Sequence, residues 1–507
     1  MINFTPLVRP VFRHIVSRRA GWDNPDTLEH TQRRVLGRLL RGAAQTEIGR
    51  RYVFMNLKSY EDFADAVPVV SYEDIRHDVE RMVQGVPDVL WPGVTRRFAQ
   101  SSGTSGGKSK YIPVTDDSLA INHYRGGVES VASYLDLYAG GRLFGGKSFI
   151  LGGSFANEIS GLPSGVRVGD LSANLIDRIN PVVNLFRVPD KKTALMADWN
   201  EKLPALVEKS MDEDITNISG VPSWFLTVLR SIIEKKGAST IHDVWPNLEV
   251  FFHGGIAFGP YREQYAAITD PAKMHYIETY NASEGFFAIQ DTYDSTDGML
   301  LMADAGIFFE FAPFDSASGR AGTPLPPWKV EKGEVYEIII TAPNGLWRYA
   351  PGDTVRIECV EPLRISIAGR TSSFINAFGE ELMVWNADAA IAKACEITGA
   401  SVANYTAAPV YTAGRTKGHH QWLIEWASAP VCGNDTFAEI LDRELRNVNS
   451  DYQAKRSGDI FLARLELTEV PRGTFDRWLA STGKLGGQRK VPRLSNDRRI
   501  VDAILNQ

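Results

Sequence analysis

Between residues 118 and 255 the chain alternates helical patterns with short apolar runs, and this alternation limits the possible folds most. Residues 118–138 carry a long helical pattern, 148–151 read as a buried strand, 194–211 as a helix and 215–218 as a strand. Residues 219–224 then turn into a helix through Ile233, and 248–252 form another apolar run closed by His253, Gly254 and Gly255. Upstream, residues 27–40 place Leu28, Val35, Leu36, Leu39 and Leu40 on one helix side, and Ser71 caps a helix through Met82. Strands alternating with helices of this length predict an α/β fold with a largely parallel sheet. From Met299 to Ile357 the pattern changes: residues 301–302, 306–311, 334–341 and 354–357 read as strands between Pro/Gly turns, which predicts a small β-rich subdomain. A chain of 507 residues is too long for one compact core, so two or three domains are expected.

In such sheets ligands sit outside the carboxyl ends of the strands, so the strand-end loops should carry the chemistry. Residues 101–110 read SSGTSGGKSK. Gly103, Gly106 and Gly107 admit positive φ and let consecutive amides point at phosphate oxygens. Ser101, Ser102, Thr104 and Ser105 add hydroxyl donors, and Lys108 and Lys110 add charge. A flexible linker has the same composition, but residues 96–100 and 111–115 flank the loop as short strands. This is not the Walker A arrangement: Pro113 follows too closely for a helix to begin at the loop, and Thr115 or Asp116 is the better helix start. Residues 141–148 (GRLFGGKS) do spell the Walker motif, but a strand pattern follows where that motif needs a helix.

Residues 276–289 (YIETYNASEGFFAI) form the most informative strand end. An apolar approach reaches Thr279 and Tyr280, followed by Asn281, Ser283, Glu284 and Gly285. Tyr280 can cover a base, Ser283 can bond phosphate, and Glu284 can hold Mg²⁺ as a hard oxygen ligand. A glycine-containing loop with a solvated glutamate is the plain alternative. Residues 347–353 (WRYAPGD) place Asp353 after a glycine turn, where a carboxylate can accept two ribose hydroxyls or be an ordinary turn residue. Ser223, Trp224, Phe252, His253, Phe286 and Phe287 neighbour these loops and suit an apolar or aromatic acid, although aromatics are more often core than pocket. His123 and His275 are candidate bases that read more readily as structural histidines.

Charge and cysteines narrow the partners. Lys plus Arg is 55 and Asp plus Glu is 61, a net charge of −6, so no basic excess points to nucleic acid. Cys359, Cys395 and Cys432 are widely spaced and contain no C-x-x-C, so neither a disulfide framework nor a zinc site is indicated. No apolar run approaches the roughly 18 residues of a membrane span, and a cytoplasmic protein is expected. Arg9, Arg13, Arg18 and Arg19, with no acid beside them, resemble an amphipathic targeting or membrane-surface helix. A helix docked through Phe12, Ile15 and Val16 fits the same residues.

The order of these stretches resembles the adenylate-forming enzymes, which include acyl-CoA synthetases, luciferases and peptide-synthetase adenylation domains. The resemblance is closer to the auxin-responsive acyl-acid amido synthetases of plants and their bacterial relatives. Residues 46–52 (TEIGRRY), 221–224 (VPSW), 449–456 (NSDYQAKR), 471–475 (PRGTF) and 488–493 (QRKVPR) are similar to that family's motifs, in order along nearly the full length.

The resemblance implies a large N-terminal ATP- and acyl-binding domain, residues 1–368, of mixed sheets with helices. It also implies a small mobile α+β lid, residues 369–507, hinged at 367–370. Within the lid, residues 381–397 should be a helix, and 421–426 and 461–466 strands. It implies that a carboxylic acid is activated by ATP as an acyl-adenylate and passed to an amine, usually of an amino acid. At the matching positions, Ser101, Ser102, Gly103, Thr104, Ser105 and Gly106 hold phosphates, and Gly254, Gly255, Thr279, Asn281 and Ser283 belong to the nucleotide site. Tyr280 meets adenine, Asp353 and Arg370 meet ribose, Glu284 holds Mg²⁺, and Lys490 contacts the α-phosphate and the acyl carboxylate. Ser223, Trp224, His253 and Phe286 fall to the acyl pocket. Residues 370–380 (RTSSFINAFGE) resemble a CoA-ligase pattern with Ser373 or Asn376 in place of its Asp, so thioester formation is a second reading. A nucleotide-binding module without turnover is a third, and retention of Glu284, Asp353 and Lys490 together speaks against it.

Overall fold

The computed structural model describes residues 2–101, 110–155, 161–256, 258–315, 320–371, 374–411, 418–459, 461–481 and 491–506. Strands β1 (Arg97–Ser101) and β2 (Lys110–Pro113) pair antiparallel with Ser101 opposite Lys110, so the Gly/Ser loop does join two strands. Strand β3 (Lys147–Ile150) enters the central sheet, which disposes of the Walker spelling before it, while β4 (Arg167–Gly169) returns beside β1. Strands β5 (Arg187–Val188), β6 (Ile215–Gly220), β7 (Val250–His253) and β8 (His275–Ala282) complete a parallel run in the order β5-β3-β6-β7-β8.

Every residue of β7 is buried, because helices cover both faces of a parallel strand. Phe251 packs against Phe225 of helix Pro222–Lys236, and Phe252 against Tyr134 of helix Tyr124–Leu137 on the other face. The latter helix is preceded by a π-helical turn, Ser118–His123, whose Ser118 amide donates to Thr115 Oγ1 at 3.0 Å, so Thr115 is the helix start that the sequence offers. Ser71 caps helix Tyr72–Val83 through a reciprocal pairing with Asp74.

The β-rich stretch that the sequence predicts is present, and its strands join the central sheet. Strands β9 (Gly285–Ile289), β10 (Met299–Leu301), β11 (Phe308–Asp315), β12 (Arg320–Ala321), β13 (Val335–Ala342), β14 (Leu346–Tyr349), β15 (Asp353–Val360) and β16 (Leu363–Arg370) extend the same 13-stranded sheet. Hairpin β8–β9 carries the ladder out of the parallel half, and β10 bridges β9 to β16. The free edge at β8 is thereby paired rather than left to solvent. The sheet is therefore mixed rather than largely parallel.

The amino-terminal helix Thr5–Ser17 docks as a structural element: Phe12 stacks on Phe144 at 5.5 Å, and Arg9 donates to the carbonyl of Gly141 at 3.2 Å. Past Arg370, β17 (Phe374–Ile375) and β18 (Leu382–Met383) lead into helix Val384–Thr398. Strands β19 (Ser401–Val410), β20 (His419–Ser428) and β21 (Glu466–Val470) then form a separate three-stranded sheet. The strand expected at 461–466 begins only at Glu466. Phe461 is instead drawn out to pack against Trp199, ring centres 4.7 Å apart. Among the described residues no helix is long and apolar enough to cross a membrane.

Candidate active site

The end of β8, the start of β15 and the end of β16 meet around one carboxylate. Asp353 opens β15 directly opposite Arg370, the last residue of β16. Tyr280 Oη donates to Asp353 Oδ2 at 2.7 Å, and Arg370 Nε pairs with Asp353 Oδ1 at 2.8 Å. Burial opposes the charge on Arg370, but Asp353, Glu381 and Glu284 outweigh it and hold the guanidinium pKa above its ordinary value. Glu284 occupies the tip of hairpin β8–β9, where Asn344 Nδ2 donates to its carbonyl at 3.2 Å. The residue is 9% exposed; burial pushes its carboxyl pKa up while Lys110 pulls it back. Burial likewise lowers the Lys110 pKa against the pull of Glu284. Two cations and the carboxylates of Glu284, Asp353 and Glu381 thus share one low-dielectric spot.

Gly254 fits the seam between β7 and β8. A Cβ there would lie 2.4 Å from the Thr279 carbonyl oxygen, so only glycine permits this approach. Thr279 Oγ1 donates to the His253 carbonyl at 3.0 Å and closes the same seam, and Gly255 follows at φ +83°. Asn281 Oδ1 lies 3.2 Å from His123 Nδ1, whose ring burial pushes the pKa down to about 4. Ser283 is half-buried in the hairpin turn.

Other predicted residues lie elsewhere. His253 stacks on Phe258 at 4.3 Å within the helix-covered face, and burial holds its pKa near 3, so it is a neutral core histidine. His275 sits at the far end of β8 from Tyr280, stacked on Tyr138 at 3.7 Å, so it is not part of the cluster around Asp353. Phe286 is core rather than pocket wall. Its amide donates to Asn122 Oδ1 at 2.6 Å, and its ring covers the backbone of Gly126, where a Cβ would fall 2.3 Å from Phe286 Cγ. Gly126→Ala is therefore expected to cost about 1–3 kcal/mol in urea unfolding through overpacking; an unchanged midpoint would show that the ring swings aside. Ser223 and Trp224 face the carboxy-terminal part: Ser223 Oγ reaches the Phe378 carbonyl at 3.4 Å, and Trp224 lies under Lys455. Ser101 ends β1, while Ser102, Gly103, Thr104, Ser105, Gly106 and Lys490 lie outside the described residues.

Sequence reading gave no role to Glu381, Asn344 or Lys455. Lys455 lies within the family-like stretch NSDYQAKR, the one signal that pointed to it. Among the described residues no three His, Cys, Asp or Glu side chains converge as a metal cage. Glu284 alone fits Mg²⁺, which is commonly held by one or two carboxylates with waters and substrate phosphates.

Residues 25–203 and 167–274 match the GH3 family N-terminal domain, 300–370 the GH3 family central domain, and 385–499 the GH3 family C-terminal domain. The chain belongs to the GH3 family. This GH3 chain is 23% identical to indole-3-acetic acid-amido synthetase GH3.4 of Arabidopsis thaliana, over 95% of its own length and 92% of that protein's. Its fold is similar to that of the AtGH3.15 acyl acid amido synthetase in complex with 2,4-DB, with a TM-score of 0.62 and 18% identity, covering 100% of this chain and 97% of the other. It is also similar in fold to 2-hydroxyisobutyryl-CoA ligase, with a TM-score of 0.57 and 15% identity, covering 94% and 91%.

Proposed function

We propose that this chain is an ATP-dependent ligase that activates a carboxylic acid as an acyl-adenylate and passes the acyl group to the amine of an amino acid. The observation that carries the reading is Asp353 held between Tyr280 and Arg370 beside Glu284 and Lys110, in a chain of the GH3 family. In the first step a carboxylate oxygen attacks the α-phosphorus of ATP, and the electron pair of the breaking bond leaves on pyrophosphate. Negative charge grows at phosphorus, and preorganised cations in a buried site stabilise it most. Arg370 and Lys110 supply that charge. Asp353 accepts from ribose hydroxyls, Tyr280 orients it, and Glu284 would hold Mg²⁺, which neutralises phosphate charge when bound. In the second step the amine nitrogen attacks the acyl carbonyl, AMP leaves with the bonding pair, and the amine loses a proton.

Ser101 and the loop after it, together with Lys490, belong to the phosphate side of this proposal, and the chain divides into residues 1–368 and 369–507 with its hinge at 367–370. The names of the relatives favour an aromatic or aryl-alkanoic acid. A thioester-forming reading draws on the fold likeness to the CoA ligase. Carboxylate-dependent ATP–pyrophosphate exchange over aromatic, indolic, benzoic and fatty acids tests the first step. Exchange with some acid, then amide formation on adding amino acids with coenzyme A ignored, is the expected result. Consumption of coenzyme A would replace this reading with the second, and absence of exchange in a protein that binds ATP would overturn both.

A further inference from the structure

Helix Thr5–Ser17 uses only one of its sides in the fold, the side that Phe12 and Arg9 hold to Phe144 and to the Gly141 carbonyl. On the opposite side Leu7, Val11 and Arg18, spaced i, i+4 and i+11, fall along one line, with Leu7 75% and Val11 61% exposed. Ile2 and Phe4, just before the helix, are exposed as well. A second group of exposed apolar side chains occupies the short helix Pro181–Leu185 and the residue after it: Val182, Val183, Leu185 (73% exposed) and Phe186. Residues 144–148 join the two groups. The Phe4 amide donates to the Phe144 carbonyl at 3.1 Å, and the Ser148 amide donates to the Phe186 carbonyl at 2.9 Å. Residues 144–148 lead into β3, and Phe186 leads into β5, the end strand of the sheet, so both groups lie at the amino ends of the parallel strands. The Asp353 cluster takes Tyr280 from the carboxyl half of β8, at the other end of the same parallel run.

Exposed apolar side chains grouped in this way mark a surface that meets a partner, and charge decides which kind. The whole chain carries a net charge of −6, yet residues 2–19 hold four arginines and no acid. Arg19 is taken by the buried Glu129 and Arg9 by backbone carbonyls. Arg13 and Arg18 are exposed, and among the described residues no carboxylate pairs with them. Residues 181–186 contain no acid either, and Asp190 beyond them stands 3.9 Å from Lys209. We propose that this face docks on an anionic lipid surface, with Leu7, Val11 and Leu185 entering the acyl boundary and Arg13 and Arg18 meeting head-group phosphates. Aliphatic side chains lose water there without needing a shaped pocket, and arginines beside them are drawn to the negative surface. A second copy meeting through the same face would instead bring two basic patches together with no acid to match them. The proposal does not depend on the ligase reading, and docking at the amino ends of the strands leaves the Asp353 cluster open to its substrates.

The test is co-sedimentation of the full chain with vesicles of phosphatidylcholine alone and of an equal mixture with phosphatidylserine, at low and at high salt. Binding to the mixed vesicles only, weakened by salt, is the expected result. Arg13→Gln and Arg18→Gln should each lower the partition coefficient about 5-fold. Leu7→Ser combined with Leu185→Ser should lower it about 10-fold or more. Because all four side chains are exposed, each variant should keep the wild-type unfolding midpoint. Failure to bind the mixed vesicles, equal binding to the neutral ones, or binding that survives either the arginine or the leucine changes would overturn the proposal. So would a wild type that dimerises without lipid in analytical ultracentrifugation and becomes monomeric in the leucine variant, since the face would then belong to a second copy.

Discussion

Glu284→Gln is expected to lower kcat/KM for carboxylate-dependent pyrophosphate exchange by about 10²- to 10³-fold, the scale set by removing one preorganised electrostatic group from an active site. The substitution is nearly isosteric, so the Asn344 bond to the backbone carbonyl and the β8–β9 turn should survive, and the unfolding midpoint should stay close to wild type. What disappears is the anionic oxygen for Mg²⁺ and the charge that opposes the desolvation of Lys110. The variant should therefore demand more Mg²⁺ as well as turn over slowly. A pH signature accompanies the loss. Burial raises the carboxyl pKa in the free protein, so the ionised form that binds a cation gains as pH rises through that value. Binding of Mg²⁺ with ATP should accordingly release a proton and tighten with pH in the wild type, and this linkage should vanish in Glu284→Gln. Unchanged exchange in the variant would take Glu284 out of the mechanism.

What the sequence made legible was local. The strands flanking the Gly/Ser loop, the Thr115 helix start and the Ser71 cap all depend on residues within a few positions of one another. Asp353 was legible because a glycine turn before a strand start is itself a short pattern. Long-range pairing was not. The union of the β-rich stretch with the parallel half depends on β10 meeting both β9 and β16, which no local pattern encodes. Phe286 misled because an apolar strand residue covered by a helix has the same letters as a pocket wall. Lys455 was hidden for the opposite reason: a lysine in a helix reads as solvated, and only the packing of Trp224 and Gly379 against it shows otherwise.

Glu310→Ala is expected to destabilise the protein by about 3–5 kcal/mol, the range found when one partner of a buried ion pair is removed. Arg348, in the same WRYAPGD stretch as Asp353, is 5% exposed and adopts φ +43°. Its Nε and Nη2 donate to the two Glu310 oxygens at 3.0 and 2.8 Å, and Nη1 donates to the carbonyls of Ala64 and Val67 at 2.7 Å each. Tyr60 adds a hydrogen bond to Glu310 Oε1 at 3.0 Å. The pair therefore ties helix Tyr60–Ala66 and the chain after it to β11 and β14. Without Glu310 the guanidinium remains buried with carbonyl partners but no countercharge. An apolar pair of similar volume, Arg348→Met with Glu310→Leu, should recover much of the loss, since the ion pair's own desolvation is removed with it. The backbone of Arg348 also accepts from Val70 at 3.0 Å, directly before the turn that positions Asp353. Glu310→Ala should consequently raise KM for ATP as well as lower stability, whereas the double variant should restore stability first. Urea unfolding followed alongside pyrophosphate exchange separates the two effects, and a Glu310→Ala protein within about 0.5 kcal/mol of wild type, the range of neutral surface changes, would refute this role for the pair.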